Sequence, residues 1–244
     1  MPDYRIKSVH AVQVQSRRHN MAVSARVETM DGAVGKALCY AGVSVGTHEV
    51  HFQYDGGNRW GGLGCMSAVR NVNTIIADTI LGMDVRNQFE IDQAMLSIQG
   101  NGSASVGGNA IAAVSAAVLK AGAAATQMPL YRYIGGENAC MLPVPGAPAF
   151  SGGERWGGAV HTHGNKPTGA FQCFGYDSFS EASSAAWDMY HLFAKELEKR
   201  GVTEGDWFFY RIPAGIFKHS DEELFELMAD VIHKTGNDGK AGIQ

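Results

Sequence analysis

The stretch from Gly107 to Gln127 constrains the fold most, because nearly all of its residues are small or apolar. It reads GGNAIAAVSAAVLKAGAAATQ and contains no proline. Alanine is the best helix former, and its methyl group lets a neighbouring element approach closely. The composition therefore predicts a closely packed helix. Lys120 and Gly122 interrupt the stretch, so we do not expect a membrane span of roughly 18 residues.

Alternating apolar and polar residues precede this helix. The alternation runs from Tyr4 to Gln15 and again from Met21 to Thr29, and Asp31-Gly32 supplies a tight reversal before a third segment, Ala33 to Cys39. Period-two alternation joined by such a turn is typical of antiparallel strands. The sequence therefore predicts an antiparallel meander.

Four further segments have helical periodicity. Two of them, residues 67–84 and 87–98, lie between the meander and the alanine-rich helix. The third has Ser180 as its predicted N-cap and Gly201 just past its end. The fourth begins with a capping box, Ser220 with Glu223. Their predicted apolar faces are Trp187, Tyr190, Phe193 and Leu197 in the third, and Leu224, Leu227, Val231 and Ile232 in the fourth.

Three prolines within residues 143–148 favour an extended connector over a helix. We place a domain boundary near residues 136 to 142, with one domain over 1–138 and a second over 139–244. Strand and helix patterns alternate beyond the boundary up to the last residues, which is typical of an α/β layer arrangement.

The composition argues against several partners. A net charge of -4 with 18% charged residues gives no electrostatic case for binding nucleic acid or an anionic membrane. The four cysteines have no CxxC spacing, and the first residues do not form a signal sequence. We therefore expect a cytoplasmic protein with free thiols and a small-molecule or protein partner.

Three stretches carry a resemblance to a known family. They are residues 69–85, residues 106–136 and LPVPGAPAFSGG from Leu142 to Gly153. Together with DGAVGKALCYAGVSVGTHE from Asp31 to Glu49, they resemble the enolase family over nearly the whole chain.

The resemblance implies a fold and a reaction. The fold would be an α+β N-terminal capping domain, an antiparallel meander with helices, followed by the first part of an enolase-type α/β barrel that opens with two strands and two helices. The reaction would be a Mg2+-dependent removal of water from 2-phosphoglycerate through a metal-stabilised enolate. The family also implies a dimer or larger assembly.

The first lid loop of the family corresponds here to AGVSVG, Ala41 to Gly46. Ser44, Gly46 and Glu49 match the family pattern, so the resemblance assigns them to the lid and to substrate binding. Ala41 replaces a serine that binds the second magnesium, and its methyl group has no oxygen to offer.

The second lid loop is enlarged. Gly152-Gly153 is followed by an insertion before His161, His163 and Asn165. Either histidine corresponds to the family's substrate-facing histidine, with His163 placed better relative to Asn165. Two other interpretations stay open. One is a metal-binding pair of histidines, with Glu154, Asp177 or Asp206 as further ligands, and the other is a solvated loop without a role.

Two family acids are missing. The glutamate that handles the leaving hydroxyl corresponds to Ala170 in one alignment and to Cys173 in another. Further on, Asp206 matches a family aspartate with a catalytic role, although a cap or turn role is as good an interpretation. Trp207 replaces the second glutamate. Cys173 would act as a nucleophile only with a lowered pKa, and we favour an inert buried thiol.

The family's main metal carboxylates, its catalytic lysine and its phosphate-binding arginine come from later barrel strands, beyond the position that Gln244 matches. We therefore expect an incomplete barrel that needs a second copy, a complementary chain or further sequence. The leading interpretation is a lyase acting on a small phosphorylated or phosphonate-bearing carboxylate, without efficient glycolytic turnover. The alternative is a noncatalytic assembly or binding protein.

Overall fold

A computed structural model describes residues 2–16, 20–40, 48, 50–100, 105–152, 166–202, 210–211 and 221–244. The chain divides into two compact units, Met1–Cys140 and Met141–Gln244. The sequence predicts a boundary between two domains at residues 138 and 139, and this boundary stays a prediction.

The first unit contains a three-stranded antiparallel sheet in the order β1-β2-β3. Its strands are β1 (Ile6–Gln15), β2 (Met21–Thr29) and β3 (Val34–Tyr40). Between β2 and β3 the backbone N–H of Thr29 donates to the carbonyl oxygen of Ala33, 2.9 Å away, and Gly32 adopts a φ of 88°. This left-handed conformation suits glycine. The predicted meander is confirmed.

Five α-helices, one 3-10 helix and one π-helical turn are described in the first unit. The turn Val72–Ile76 joins α1 to α2 in one run, which ends at Ile80 and not at the predicted residue 84. The bounds are Arg59–Gly62 for the 3-10 helix, and α1 (Met66–Asn71), α2 (Ala77–Ile80), α3 (Gln88–Ser97), α4 (Gly108–Ala125) and α5 (Leu130–Gly135).

Helix α4 packs its alanine side chains directly onto the sheet. Ala110, Ala113, Ala117 and Ala121 follow helical spacing and are fully buried. On β3, a Cβ atom at Gly35 would overlap with the backbone of Ala117 and Ala121. The helix and the strand are therefore in contact through their main chains, as the small-residue composition predicts.

Helix α4 is 18 residues long and, by length and composition, apolar enough to cross a membrane. Lys120 does not break it, because its exposed side chain leaves the helix surface towards solvent. Half of the helix is buried inside the first unit, where it packs against β2 and β3. Burial of this kind is typical of the core helix of a globular domain.

The second unit contains a four-stranded sheet in the order β6-β4-β5-β7. β4 pairs antiparallel with β5, β5 pairs antiparallel with β7, and the short β6 pairs parallel with β4. The strand bounds are β4 (Gly146–Gly152), β5 (Lys166–Cys173), β6 (Tyr210–Arg211) and β7 (Ala241–Ile243).

Two helices, α6 (Phe179–Glu198) and α7 (Asp221–Lys234), pack against this sheet. An aromatic cluster lies between the helices and the sheet. The ring centroid of Phe193 lies 6.3 Å from that of Phe150 and 5.8 Å from that of Phe171. The predicted apolar face of α7 is confirmed, since all four of its residues are buried.

Two predictions for α6 are wrong. Its N-cap is Ser178 rather than Ser180: Ser178 has extended backbone angles, and its hydroxyl accepts a hydrogen bond from the backbone N–H of Glu181 at 3.2 Å. Trp187 is 66% exposed and does not belong to the buried face. Six residues separate it from Phe193, which places the two side chains about 120° apart around the helix axis.

We expect the Gly35→Ala substitution to lower the free energy of unfolding by about 1 to 3 kcal/mol, because the added methyl group has no space beside α4. Chemical denaturation followed by circular dichroism measures the change. Lys36→Thr is the matched control on the exposed side of the same strand, and it should change stability by less than about 0.5 kcal/mol. Equal denaturation midpoints for Gly35→Ala and the wild type would contradict the close packing.

Candidate active site

Three strands of the second unit's sheet begin or end on the same side of the sheet. β4 and β6 run in parallel towards this edge, with Ser151 opposite Arg211. β5 starts there, with Lys166 opposite Gly152. We call this the carboxyl edge and define it by Gly152, Lys166 and Arg211. The connection over residues 153–165, which contains the predicted second lid loop, leaves β4 and enters β5 at this edge.

The site residues predicted from the sequence lie outside the described residues, so their roles stay predictions. The chain places three of them in the connection from β4 to β5, one between α6 and β6, and three between β3 and α1. They are His161, His163 and Asn165, then Asp206, then Ser44, Gly46 and Glu49. His48, next to the first lid loop, is described and exposed.

The two candidate positions for the missing acid lie on opposite faces of β5. Phe171 and Cys173 belong to the buried cluster beneath α6 and α7, and we call their side of the strand the helix face. Ala170 and Gln172 alternate with them and are half-buried on the other side, the far face. Among the described residues, α6 and α7 cover the helix face, so we expect a bound molecule to approach β5 from the far face. The geometry therefore favours Ala170 as the position of the family's glutamate.

Amide groups surround Ala170 on the far face. Ala170 and Gln244 exchange two backbone hydrogen bonds, of 3.0 Å and 2.9 Å. The side-chain amide of Gln172 donates to the side-chain oxygen of Gln244. The same amide lies over Gly146, where a Cβ atom would come within 2.8 Å of its Nε2 atom. The hydrogen bonds described here join amides to amides, so this face offers polar contacts without a described proton-donating acid.

Gln244 was missed as a neighbour of the candidate position. Its place beside Ala170 depends on the register between β5 and β7, in which Phe171 faces Ile243. Local sequence patterns contain no information about this pairing. Gln172, in contrast, can be identified from the sequence, because it directly precedes Cys173, one of the two candidate acid positions.

Cys173 does not have the environment of a nucleophile. Only 2% of its surface is exposed, and burial raises the pKa of its thiol. Burial raises the pKa of Cys65 further, to about 11, and a contact from the Asn109 amide offsets this only in part. Since the thiolate is the reactive form, both cysteines should be inert. This agrees with the interpretation of Cys173 as a buried thiol.

The described side chains do not form a metal centre. Among the residues for which the structure gives positions, no three His, Cys, Asp or Glu side chains lie close enough together to hold an ion. Asp177, one proposed partner of the histidine pair, is exposed just before α6. The described part of the chain therefore offers no support for the alternative of a histidine metal site.

Comparisons with known proteins decide the family. A model of the enolase N-terminal domain matches residues 6–134, just over half of the chain. The enolase of Campylobacter jejuni is 40% identical over 199 residues, which are 80% of this chain and 47% of that protein. The chain belongs to the enolase family.

Two further relatives give the same result. The enolase of Methanosarcina acetivorans is 40% identical over 202 residues, which cover 81% of this chain and 46% of the relative. The enolase of Methanopyrus kandleri is 41% identical over 198 residues, covering 80% and 45%. The chain spans somewhat less than half the length of these relatives.

Membership of the enolase family fits both units. The first unit has the predicted antiparallel meander with helices, which confirms the α+β capping domain. The second unit opens with the antiparallel pair β4 and β5, continues with α6 and α7, and reaches β7 beside β5. This order agrees with the predicted start of an enolase-type α/β barrel.

We expect Cys140, which is exposed, to react with a thiol reagent at least about tenfold faster than the buried Cys65 and Cys173. Because burial raises the pKa of both buried thiols, their thiolate fraction at pH 8 is reduced along with their accessibility. Mass spectrometry after timed labelling of the native protein measures the rates. Rapid labelling of Cys173 would contradict its assignment as an inert core residue.

Proposed function

We propose that this chain is an enolase-family lyase that acts on a small phosphorylated or phosphonate-bearing carboxylate. Membership of the family and the match at Ser44, Gly46 and Glu49 support a substrate of this class. The missing acids argue against efficient dehydration of 2-phosphoglycerate. Because the chain covers less than half of its relatives' length, catalysis would need groups from further sequence or from another subunit.

The observation that carries this proposal is the methyl group of Ala170 on the far face of β5. Loss of hydroxide from a β-hydroxy acid needs a group that protonates the departing oxygen. A positioned general acid contributes about 100-fold to 10,000-fold in rate. The amides of Gln172 and Gln244 can donate hydrogen bonds there, but an amide does not release a proton at neutral pH. The proposed enzyme would therefore act on a substrate, or catalyse a step, in which the leaving group needs no protonation by a general acid.

The enlarged second lid loop is part of the proposal. It joins β4 to β5 at the carboxyl edge, the end of the sheet at which barrel enzymes bind their substrates. We propose that His163, with His161 as the alternative, brings an imidazole to the substrate and that Asn165 assists. Asp206 is the proposed acidic group of the segment that leads into β6.

Mg2+ enters the proposal from the family. The residues present do not fit a complete site: Ala41 lacks the oxygen that the first lid loop would supply, and the described part of the chain has no cluster of three metal-binding side chains. We propose a cytoplasmic setting, which agrees with the four cysteines being free thiols.

Restoring the acid tests the central observation. In the full natural chain, with any partner subunit and Mg2+ present, we expect Ala170→Glu to raise the rate of 2-phosphoglycerate dehydration about 100-fold or more. The measurement is the absorbance of the enol product. Ala170→Gln is the matched control: it has nearly the same size but no acidic proton, and it should leave the rate at the wild-type level.

Two results would count against the proposal. Fast dehydration of 2-phosphoglycerate by the wild type would show that no acid is missing. Equal gains from Ala170→Glu and Ala170→Gln would show that side-chain volume, and not acidity, limits the reaction.

The lid has its own test. We expect His163→Ala to weaken binding of phosphonoacetate, a small phosphonate-bearing carboxylate, about tenfold or more, because a charge-assisted hydrogen bond to the phosphonate is lost. Isothermal titration calorimetry measures the affinity, and His161→Ala is the matched control two residues away. Unchanged affinity in both variants would favour the interpretation of a solvated loop without a role. Loss of affinity in His161→Ala alone would show that His161, and not His163, contacts the substrate.

The alternative function, noncatalytic assembly, has one specific observation in its favour. Within the described residues, β6 covers β4 at only two positions, Phe150 and Ser151, and the outer edge of β7 has no partner strand. Uncovered strand edges favour pairing with another chain. Sedimentation that shows a homo-oligomer or a complex, combined with no turnover of any phosphorylated carboxylate, would favour this alternative.

A further inference from the structure

A groove lies between α3 and α4 in the first unit, within the capping domain. Its cavity has a volume of about 400 Å3, which is in the range of small-molecule sites. Val50 and Phe52 form one apolar wall, and Leu96 and Ile111 come from the two helices. Val50 and Leu96 are half exposed, so the groove is accessible within this unit.

The spacing of the lining residues shows how the helices form the groove. Asp92 and Leu96 lie four residues apart on one face of α3, and Gln99 follows just beyond the end of that helix. Ile111 and Ser115 repeat this spacing on α4. Asp92 and Gln99 provide the two polar ends of the groove, one within α3 and one past its C-terminal end.

The first polar end carries the negative charge of Asp92, which forms no ion pair with the described residues. Asp92 Oδ1 accepts a hydrogen bond of 3.0 Å from the amide of Gln88, which also donates to the hydroxyl of Ser115 at 3.1 Å. Among the ion pairs of the described residues, none contains Asp92. The Oε1 atom of Gln88 is buried and has no hydrogen-bond donor in the described part of the chain. Asp92 lines the groove at this end and Gln88 does not, so the carboxylate is the acceptor available to a bound molecule.

The second polar end also contains an acceptor without a described donor. The amide of Gln99 donates a hydrogen bond of 2.6 Å to Ser105, while its Oε1 atom is shielded from solvent and accepts none from the described residues. A buried acceptor without a donor costs free energy. The Asp92 carboxylate at one end of an otherwise apolar groove therefore favours a molecule that brings a positively charged N–H donor.

We propose that this groove binds a small organic ammonium compound, with its ammonium group on Asp92 and its hydrocarbon body between Leu96, Ile111 and Phe52. Charge complementarity selects this class over an anion, since Asp92 would repel a carboxylate. The apolar walls select it over an inorganic cation, which would lose its hydration without gaining ligands. The site belongs to the capping domain and does not depend on the proposed reaction.

The test uses n-hexylammonium as the probe and hexan-1-ol as its neutral counterpart. Backbone amide shifts of the isotopically labelled full chain are followed by nuclear magnetic resonance during each titration. We expect shifts confined to α3, α4 and residues 50–52, and a dissociation constant for hexylammonium about tenfold or more below that for hexan-1-ol.

Three variants make the result specific. Asp92→Asn keeps an oxygen for the Gln88 hydrogen bond but removes the charge, so it should weaken hexylammonium binding about tenfold and leave hexan-1-ol unchanged. Asp78→Asn removes an exposed charge elsewhere in the same unit and should change neither. Ala112→Phe fills the groove from an exposed position of α4 and should weaken binding of both compounds.

The proposal is overturned by equal affinities of the two compounds, by unchanged hexylammonium binding in Asp92→Asn, or by shifts that fall outside the groove. Absence of any shift in α3 and α4 at millimolar probe would overturn it as well.

Discussion

The contact between Gly35 and the alanine face of α4 is the constraint on which the first unit depends. A strand and a helix can approach until their main chains touch only if both omit side chains at the contact, and the chain does so on both sides. Close approach removes nearly all water from this region and gives many dispersion contacts per residue. It also explains why the residues of α4 on the sheet side are small. A helix that resembles a membrane span in length and hydropathy is therefore the core of a folded domain.

The same constraint shapes the opposite side of α4. Since alanines occupy the face towards the sheet, the larger side chains Ile111 and Ser115 lie on the side towards α3. At one end of the pair, Gln88 of α3 donates hydrogen bonds to the carbonyl oxygen and the hydroxyl of Ser115 on α4. The result is a groove with apolar walls and polar ends. The chemistry of the proposed ammonium site thus follows from how the core was packed.

Sequence patterns predicted the parts of the fold that depend on local spacing. Period-two alternation with Asp31-Gly32 predicted the meander, and the apolar spacing of α7 predicted its buried face. Errors arose where several faces of one helix are apolar: Trp187 continues the stripe of α6 in sequence but lies 66% exposed, about 120° away from Phe193. Relations between distant segments, such as Ala170 beside Gln244, depend on strand register and could not be predicted. The lid residues came from the family resemblance, and their roles stay predictions.

Side chains on β5 alternate between two faces, one that packs in the core and one that could contact a bound molecule. Phe171 and Cys173 belong to the buried cluster that includes residues of α6 and α7, whereas Ala170 and Gln172 are not part of it. A substitution at Ala170 changes what the far face can do to a bound molecule without creating a cavity or an overpacked core. A carboxylate at Cys173 would instead be buried without a partner and would cost several kcal/mol. A family scaffold can therefore lose an acid at Ala170 and keep its fold, so retention of the fold is compatible with a change of reaction in this chain.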